Sequence, residues 1–311
     1  MTSFQAEGLR INTAGNKAAV SSPELLRRAM ERGSILEAKA VLCDHAHDLI
    51  VELPCMRGVI PREEGAVGIR EGTVRDIALI SRVGRTVCFV VTDIYTDEQG
   101  RLTALLSRAQ AQRRCIDSYI SRLSAGDVIP ARISHLEPFG AFCDIGCGVV
   151  ALMPIDTISV SRIEHPDERF TVGMDIFAVI KSRVGTRVTL SHKELLGTWA
   201  QNAGRFSVGE TVTGVIRSIE NYGAFVELAP NLAGLAELRD NINVGDTAAV
   251  YIKSVIPEKM KIKLIIIDNF HQQLTPTAPD YFITQGHIDR FVYSPDECGR
   301  YIFTDFTEAL G

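Results

Sequence analysis

One segment of this chain is written twice. Residues 126–154, GDVIPARISHLEPFGAFCDIGCGVVALMP, align without a gap with residues 209–237, GETVTGVIRSIENYGAFVELAPNLAGLAE, at a constant offset of 83. The offset relates Gly126 to Gly209, Phe139 to Tyr222, Phe142 to Phe225 and Leu152 to Leu235. Self-similarity at a fixed period means that one supersecondary unit is used more than once, so the fold must be assembled from copies. After a variable connector each copy runs into a hairpin, VGMDIFAVIKSRVGTRVTLS (172–191) in one and VGDTAAVYIKSVIPEKMKIKLII (244–266) in the other. β-Branched residues flank both turns, and Gly185 supplies the tighter one.

Five strands per copy follow, at 127–134, 139–145, 149–153, about 174–182 and about 186–191 in the better-marked copy. Five short strands in roughly 70 residues, with an irregular connector between the third and fourth, fit a small closed Greek-key barrel of the OB type. A fainter copy precedes these two. Residues 33–63 read as its first three strands and 83–107 as its closing hairpin, with His47 and Ile50 where the later copies have Tyr222 and Phe225. The expected fold is mainly β: tandem five-stranded antiparallel OB-fold barrels, three repeats with the first degenerate, joined by short helices. In SSPELLRRAMERG (21–33) Ser22 caps, Pro23 takes the first turn and Gly33 ends a helix. Helical links are expected at 107–123 and 195–207. The division is an N-terminal tail (1–20), a degenerate repeat (21–110), two full repeats (111–200 and 201–268) and a C-terminal extension (269–311), in which 281–294 is expected to form a strand pair.

The 311 residues carry a formal charge of −5 and a sequence isoelectric point of about 5.8, which excludes a global basic field for sequence-blind adhesion to duplex DNA. Any nucleic acid must be held locally. Seven cysteines, odd in number and never in C-x-x-C pairs, read as reduced core residues of a cytoplasmic protein. The N-terminus has no secretory pattern and no apolar run reaches a membrane span.

The repeated motif is aromatic-Gly-Ala-Phe. Rings three apart in a regular strand point to opposite faces, so at least one ring of Phe139/Phe142 and of Tyr222/Phe225 is expected in solvent, Phe139 and Tyr222 foremost. Outward rings beside a glycine make a stacking platform for unpaired bases. Phosphate-holding candidates around them are Arg132, His135, Arg183 and Arg187 in one copy, and Arg217, Lys259, Lys261 and Lys263 in the other. The alternative is that all four rings are barrel core.

These residues resemble the S1-type RNA-binding domain family. The likeness rests on FGAF and YGAF, on GDVIPARI and GETVTGVI opening each unit, on HPDERFTVGMDI, and on the endings TRVTLSHKEL and MKIKLII, and spans about residues 21–267. Several copies in tandem are similar to the bacterial small-subunit ribosomal protein for which the family is named. The resemblance implies single-stranded RNA binding by Phe139, Phe142, Tyr222 and Phe225, with Arg187 and Lys261 at the family's basic position. Its often-His position falls on Pro154 and Glu237, and its acidic position on Ser182 and Ile256. The implied partners are messenger RNA and the small ribosomal subunit, with no membrane and no cofactor, for a monomeric cytoplasmic protein. The rival readings are an RNA-binding regulator or decay accessory off the ribosome, and a protein-docking scaffold that uses the degenerate repeat and the C-terminal extension.

Catalysis has no support in the sequence: phosphate-loop, nucleophile-elbow and H-E-x-x-H patterns do not occur. His45 and His47 would share a strand face but lack further ligands, and Cys143 and Cys147 read as small buried residues, so no metal site is expected.

Overall fold

A computed structural model of the chain describes residues 4–271 and 275–307. Residues 1–3 of the tail and 272–274 and 308–311 of the extension lie outside the described residues. The chain opens with helices α1 (Ala14–Ala19) and α2 (Pro23–Glu31). Ser22 caps α2 by accepting from the Leu25 N–H, and Gly33, at φ +59°, takes the left-handed turn that releases the chain.

The first barrel comprises β1 (Leu36–Cys43), β2 (Leu49–Leu53), β3 (Met56–Ile60), β4 (Thr86–Thr96) and β5 (Leu102–Ser107), with the short helix α3 (Ile77–Ile80) in its connector. Helix α4 (Arg108–Ser118) follows. The second barrel comprises β6 (Val128–Glu137), β7 (Gly140–Asp144), β8 (Val150–Pro154), β9 (Asp175–Val184) and β10 (Arg187–Ser191). Helix α5 (Trp199–Ala203) leads to the third barrel: β11 (Thr211–Glu220), β12 (Gly223–Ala229), β13 (Leu232–Ala236), β14 (Thr247–Ile256) and β15 (Lys261–Phe270). All three barrels are closed with one topology, in which the fifth strand lies between the third and the fourth. The third-to-fifth pairing is parallel, Leu152 with Thr189 and Leu235 with Lys263, while the hairpins are antiparallel. The parallel contact arises because the fourth strand pairs antiparallel with the first and the fifth antiparallel with the fourth, so the fifth runs in the direction of the third. No helix of the described residues is long and apolar enough to cross a membrane.

The chain divides into two compact units. Unit 1 holds residues 1–123 together with the loop 144–150. Its core is Leu49, Ile60, Phe89 and Leu106 inside the barrel, with Leu26 of α2 packed against them. The loop is tied down by polar groups: Asp144 accepts from the N–H groups of Glu7, Gly146 and Gly148, Gln112 donates to the Gly148 carbonyl, and buried Arg108 pairs with Glu7 at 2.7 Å. Cys88, Cys115 and Cys147 are buried in this unit and Cys143 in the other, all as free thiols.

Unit 2 holds residues 124–143 and 151–311. Within it, Ile133, Met153, Ile180 and Leu190 fill one barrel, and Ile216, Val226, Val250 and Leu264 the other. The C-terminal extension is folded onto both. The Val128 N–H donates to the Gly286 carbonyl and the Ile288 N–H to the Gly126 carbonyl, while Phe291 and Tyr293 join the third barrel's core. The strand pair expected inside 281–294 is corrected here: that stretch contains one strand, β16 (Arg290–Val292), whose partner is β17 (Phe303–Asp305). Tyr281 instead anchors through its hydroxyl to Phe177 and His192, and the Phe282 N–H donates to the Leu195 carbonyl outside any strand.

Candidate nucleic-acid interface

The two ring pairs are built the same way. Phe139 sits in the turn between β6 and β7, so strand alternation does not govern it, and it reaches the same side as Phe142. Their ring centroids are 5.9 Å apart with planes at 90°, and Tyr222 and Phe225 repeat the arrangement at 6.2 Å and 90°. The outer rings stand in solvent, Phe139 being 56% and Tyr222 65% exposed, while Phe142 and Phe225 are half-buried. Each pair therefore offers one open ring face braced edge-on by a second ring.

The glycine of the motif has a steric cause. A Cβ on Gly140 would meet the Met153 carbonyl oxygen at 2.4 Å, and one on Gly223 the Ala236 carbonyl oxygen at 2.6 Å. The third strand of each barrel crosses at that point, and only glycine lets it come so close.

Polar groups around the second barrel's pair divide into two sets. His135 lies over Phe142 at 6.1 Å with planes 28° apart, and its Nε2 meets Glu137 at 2.6 Å. Arg187 is exposed at the start of β10, and Arg183, exposed across the hairpin, reaches the Gly185 carbonyl at 3.4 Å. Arg132 is held in a two-pronged pair with Asp175 at 2.6 and 2.8 Å, so its donors are already engaged.

In the third barrel the register sets a row across the outer face: Phe225 opposite Leu235, Leu235 opposite Lys263, and Lys263 opposite Ser254. Lys261 shares that face two residues earlier, and both lysines are exposed. Among the described residues Arg187, Lys261 and Lys263 enter no ion pair. The sequence reading singled out Lys261 by its place in the motif, but only the parallel register reveals Lys263 in line with the ring. In the second barrel the corresponding partner of Leu152 is Thr189.

Arg217 lies elsewhere than on that open face. It is the bulged residue of β11, its guanidinium donates to Glu227 at 2.9 and 3.1 Å and also pairs with Glu168, and its side chain is largely buried. Arg169 joins Glu227 from the other side. Burial lowers the Arg169 pKa and its two carboxylate neighbours offset part of that. This four-membered cluster stitches the 158–170 connector of the second barrel to β12 of the third. It is architecture, and the sequence could not disclose it because the partners are 49 and 58 residues apart in chain order.

A second buried network, missed by sequence reasoning, joins the extension to the second barrel. The Phe177 N–H donates to the Tyr281 hydroxyl at 3.1 Å, and that hydroxyl stands 2.9 Å from His192 Nε2. His192 Nδ1 is 2.9 Å from the Ile158 carbonyl. Since a carbonyl only accepts, Nδ1 carries the proton and Nε2 accepts from Tyr281. Burial pushes the His192 pKa down to about 4.

In the first barrel the ring pair is absent. His45 and His47 lie in a turn rather than on a strand face, His47 at φ +64°, and Ile50 is buried in β2. The short β1–β2 loop forces that turn, since two residues between Asp44 and His47 must reverse the chain.

Comparison with known proteins agrees with this geometry. Residues 122–193 match the family model of the S1 RNA binding domain. The small ribosomal subunit protein bS1 of Staphylococcus aureus (strain COL) is 28% identical over 258 residues, 80% of this chain and 62% of that protein. The bS1 of Staphylococcus haemolyticus (strain JCSC1435) is 30% identical over 226 residues, 70% of this chain and 55% of that protein. The chain thus spans only part of these relatives' length. Among solved structures, a multidomain protein with nucleic acid binding domains from Streptococcus pneumoniae is matched over 76% of this chain and 74% of that one, at 12% identity and a TM-score of 0.25. With the barrel topology, the repeated ring pair and these matches together, the chain carries an S1 RNA-binding domain at residues 122–193 and is a relative of the bacterial ribosomal bS1 proteins.

Proposed function

We propose that the chain binds single-stranded RNA, messenger RNA in particular, on the outer faces of its second and third barrels, and that it acts in the cytoplasm as a monomer in association with the small ribosomal subunit. The role is binding rather than catalysis. The division into repeats at 21–110, 111–200 and 201–268 is part of the proposal, with the second and third repeats holding RNA. The observation that carries it is the repeated edge-to-face pair with its outer ring in solvent, Phe139 in one barrel and Tyr222 in the next. Bases stack on the open rings, and Arg187, Arg183, Lys261 and Lys263 meet phosphates. His135, stacked near Phe142, extends the second platform. Arg132 and Arg217 hold strands and connectors in place through their carboxylate partners.

Fluorescence anisotropy with a labelled unstructured RNA at two salt concentrations tests this. Phe139→Ala/Tyr222→Ala removes two stacking faces and is expected to weaken binding on the order of 100-fold, since each base stack is worth roughly 1–3 kcal/mol. Lys261→Ala/Lys263→Ala is expected to lower the salt slope by up to about 1.4, at roughly 0.7 per phosphate contact on a single strand. Folded wild type that does not bind, or a folded ring variant that binds equally well, would sink the proposal. Docking on a protein through the first barrel is the second reading, favoured by exposed Leu42 and Ile77 in a unit without the ring pair. In that case Leu42→Asp/Ile77→Asp abolishes co-sedimentation with ribosomes and leaves RNA anisotropy as it was.

A further inference from the structure

The C-terminal hairpin bears an aromatic surface that no barrel repeat contains. β16 and β17 pair Arg290 with Asp305, Phe291 with Thr304 and Val292 with Phe303. Alternation turns Phe291 inward to the third barrel's core and leaves Arg290 and Phe303 outside. Tyr301, two residues before Phe303, lies on the same side. The two rings are 59% and 46% exposed, with centroids 5.2 Å apart and planes at 40°. The Arg290 guanidinium carbon is 4.3 Å from the Phe303 centroid and 5.6 Å from that of Tyr301. Rings and guanidinium therefore form one layered surface rather than three separate side chains.

That surface is held firmly from behind. The Phe306 N–H donates to the Asp289 carbonyl, Tyr293 N–H to the Ile302 carbonyl, Ile302 N–H to the Ser294 hydroxyl at 2.6 Å, and the Thr304 hydroxyl to Glu194 at 2.8 Å. Its charge narrows what it can take. Arg290 stands in the middle, Asp305 lies 3.9 Å from it, and Asp289 is its neighbour in sequence and pairs with His287 at 3.3 Å. A basic peptide meets the guanidinium, and an acidic one meets the two aspartates. A neutral planar group meets neither penalty and can use the ring and guanidinium faces together.

We propose that Arg290, Tyr301 and Phe303 form a stacking site for an unpaired nucleobase, additional to the ring pairs of the second and third barrels. The proposal rests on the RNA reading above. Because aspartates flank the site, it contributes stacking without phosphate neutralisation. Its removal lowers affinity and leaves the salt dependence untouched, unlike removal of the hairpin lysines.

The test is anisotropy of labelled oligoadenylate, long enough to span several sites, with the full chain and three variants. Tyr301→Ala/Phe303→Ala is expected to weaken binding on the order of ten-fold with an unchanged salt slope. Tyr301→Phe/Phe303→Tyr, which keeps both rings, is expected to bind like wild type. The fluorescence of Trp199, the single tryptophan, reports that unit 2 is folded in each case. If wild type binds and Phe139→Ala/Tyr222→Ala does not, while Tyr301→Ala/Phe303→Ala matches wild type, this inference fails alone and the surface is left to a protein partner. If wild type does not bind, the RNA reading fails and this inference with it. A loss accompanied by a shallower salt slope would overturn the stacking assignment in favour of a phosphate contact.

Discussion

Acidifying the solution should loosen unit 2 through one residue, His192. Its imidazole is buried, donates from Nδ1 to the Ile158 carbonyl and accepts at Nε2 from Tyr281, and Phe170 packs against it edge-on at 5.1 Å. Desolvation is the chief cause that takes its pKa from 6.5 to about 4, with the positive charge of Arg169 adding to it and the Ile158 carbonyl opposing. Above pH 6.5 the imidazole is neutral in both folded and unfolded chains and contributes no pH dependence. Below it the unfolded chain takes up a proton that the folded one refuses, so stability falls by about 1.4 kcal/mol per pH unit. The loss levels off near pH 4 at about 3 kcal/mol, where the native imidazole itself protonates. His287 works in the opposite direction, because hydrogen bonding to Asp127 raises its pKa, but it is largely solvated and its share is small. The assay is urea unfolding followed by Trp199 fluorescence between pH 7.5 and about 4. Trp199 is the sole tryptophan and is buried in unit 2, so the signal is confined to the right part of the chain. His192→Gln keeps a polar, non-titrating side chain and should be less stable at pH 7 but flatter across the acid range. Parallel pH profiles for wild type and variant would refute the argument.

Two further outcomes follow from packing. Gly140→Ala places a methyl group 2.4 Å from the Met153 carbonyl oxygen and should cost roughly 1–3 kcal/mol in the Trp199 melt, whereas Gly173→Ala, with nothing within 4 Å of its Cβ but a positive φ, should cost less. Glu227→Ala takes from buried Arg169 its carboxylate partner and leaves Arg217 with Glu168 alone, and should cost about 3–5 kcal/mol, against less than about 1 kcal/mol for Asp175→Ala, whose partner Arg132 sits at the surface.

The barrels were legible because their information is local. The constant offset between Phe142 and Phe225 fixed the unit, β-branched runs located the strands, and Gly185, at φ +61°, marks a hairpin turn in sequence and structure alike. The ring pairs were legible for the same reason, although the expectation of opposed faces changed: Phe139 escapes strand alternation by sitting in the turn. What could not be read depends on partners far away in the chain. By residue type Arg132 and Arg217 read as phosphate-holding candidates alongside Arg187, yet Asp175, Glu168 and Glu227 engage the first two. Likewise β16 finds its partner across a ten-residue excursion whose composition carries no hairpin signature, so the sequence points to a pair within 281–294 instead of between 290–292 and 303–305.

That sorting of cations also explains how an acidic chain can hold a polyanion. A net charge of −5 gives no long-range attraction, and at physiological salt the field of distant charges is screened within about 8 Å. Only cations within that reach of the strand matter. In unit 2 several carboxylates are engaged by arginines: Asp175 by Arg132, Glu227 by Arg217 and Arg169, Glu168 by Arg217, and Asp280 by Arg205. Lys261 and Lys263, on the face that carries Phe225, meet no such partner among the described residues. On the proposed reading, these ion pairs build the scaffold, and the lysines outside them lie on the face that carries Phe225. On the same reading, affinity comes from several modest sites linked in one chain, whose joint engagement can exceed each alone by 10²–10⁴-fold. Duplex nucleic acid, with its bases stacked inside and unavailable to Phe139 or Tyr222, would gain only the few phosphate contacts, so on the proposed reading duplex RNA is expected to bind more weakly than single-stranded RNA in the same anisotropy assay.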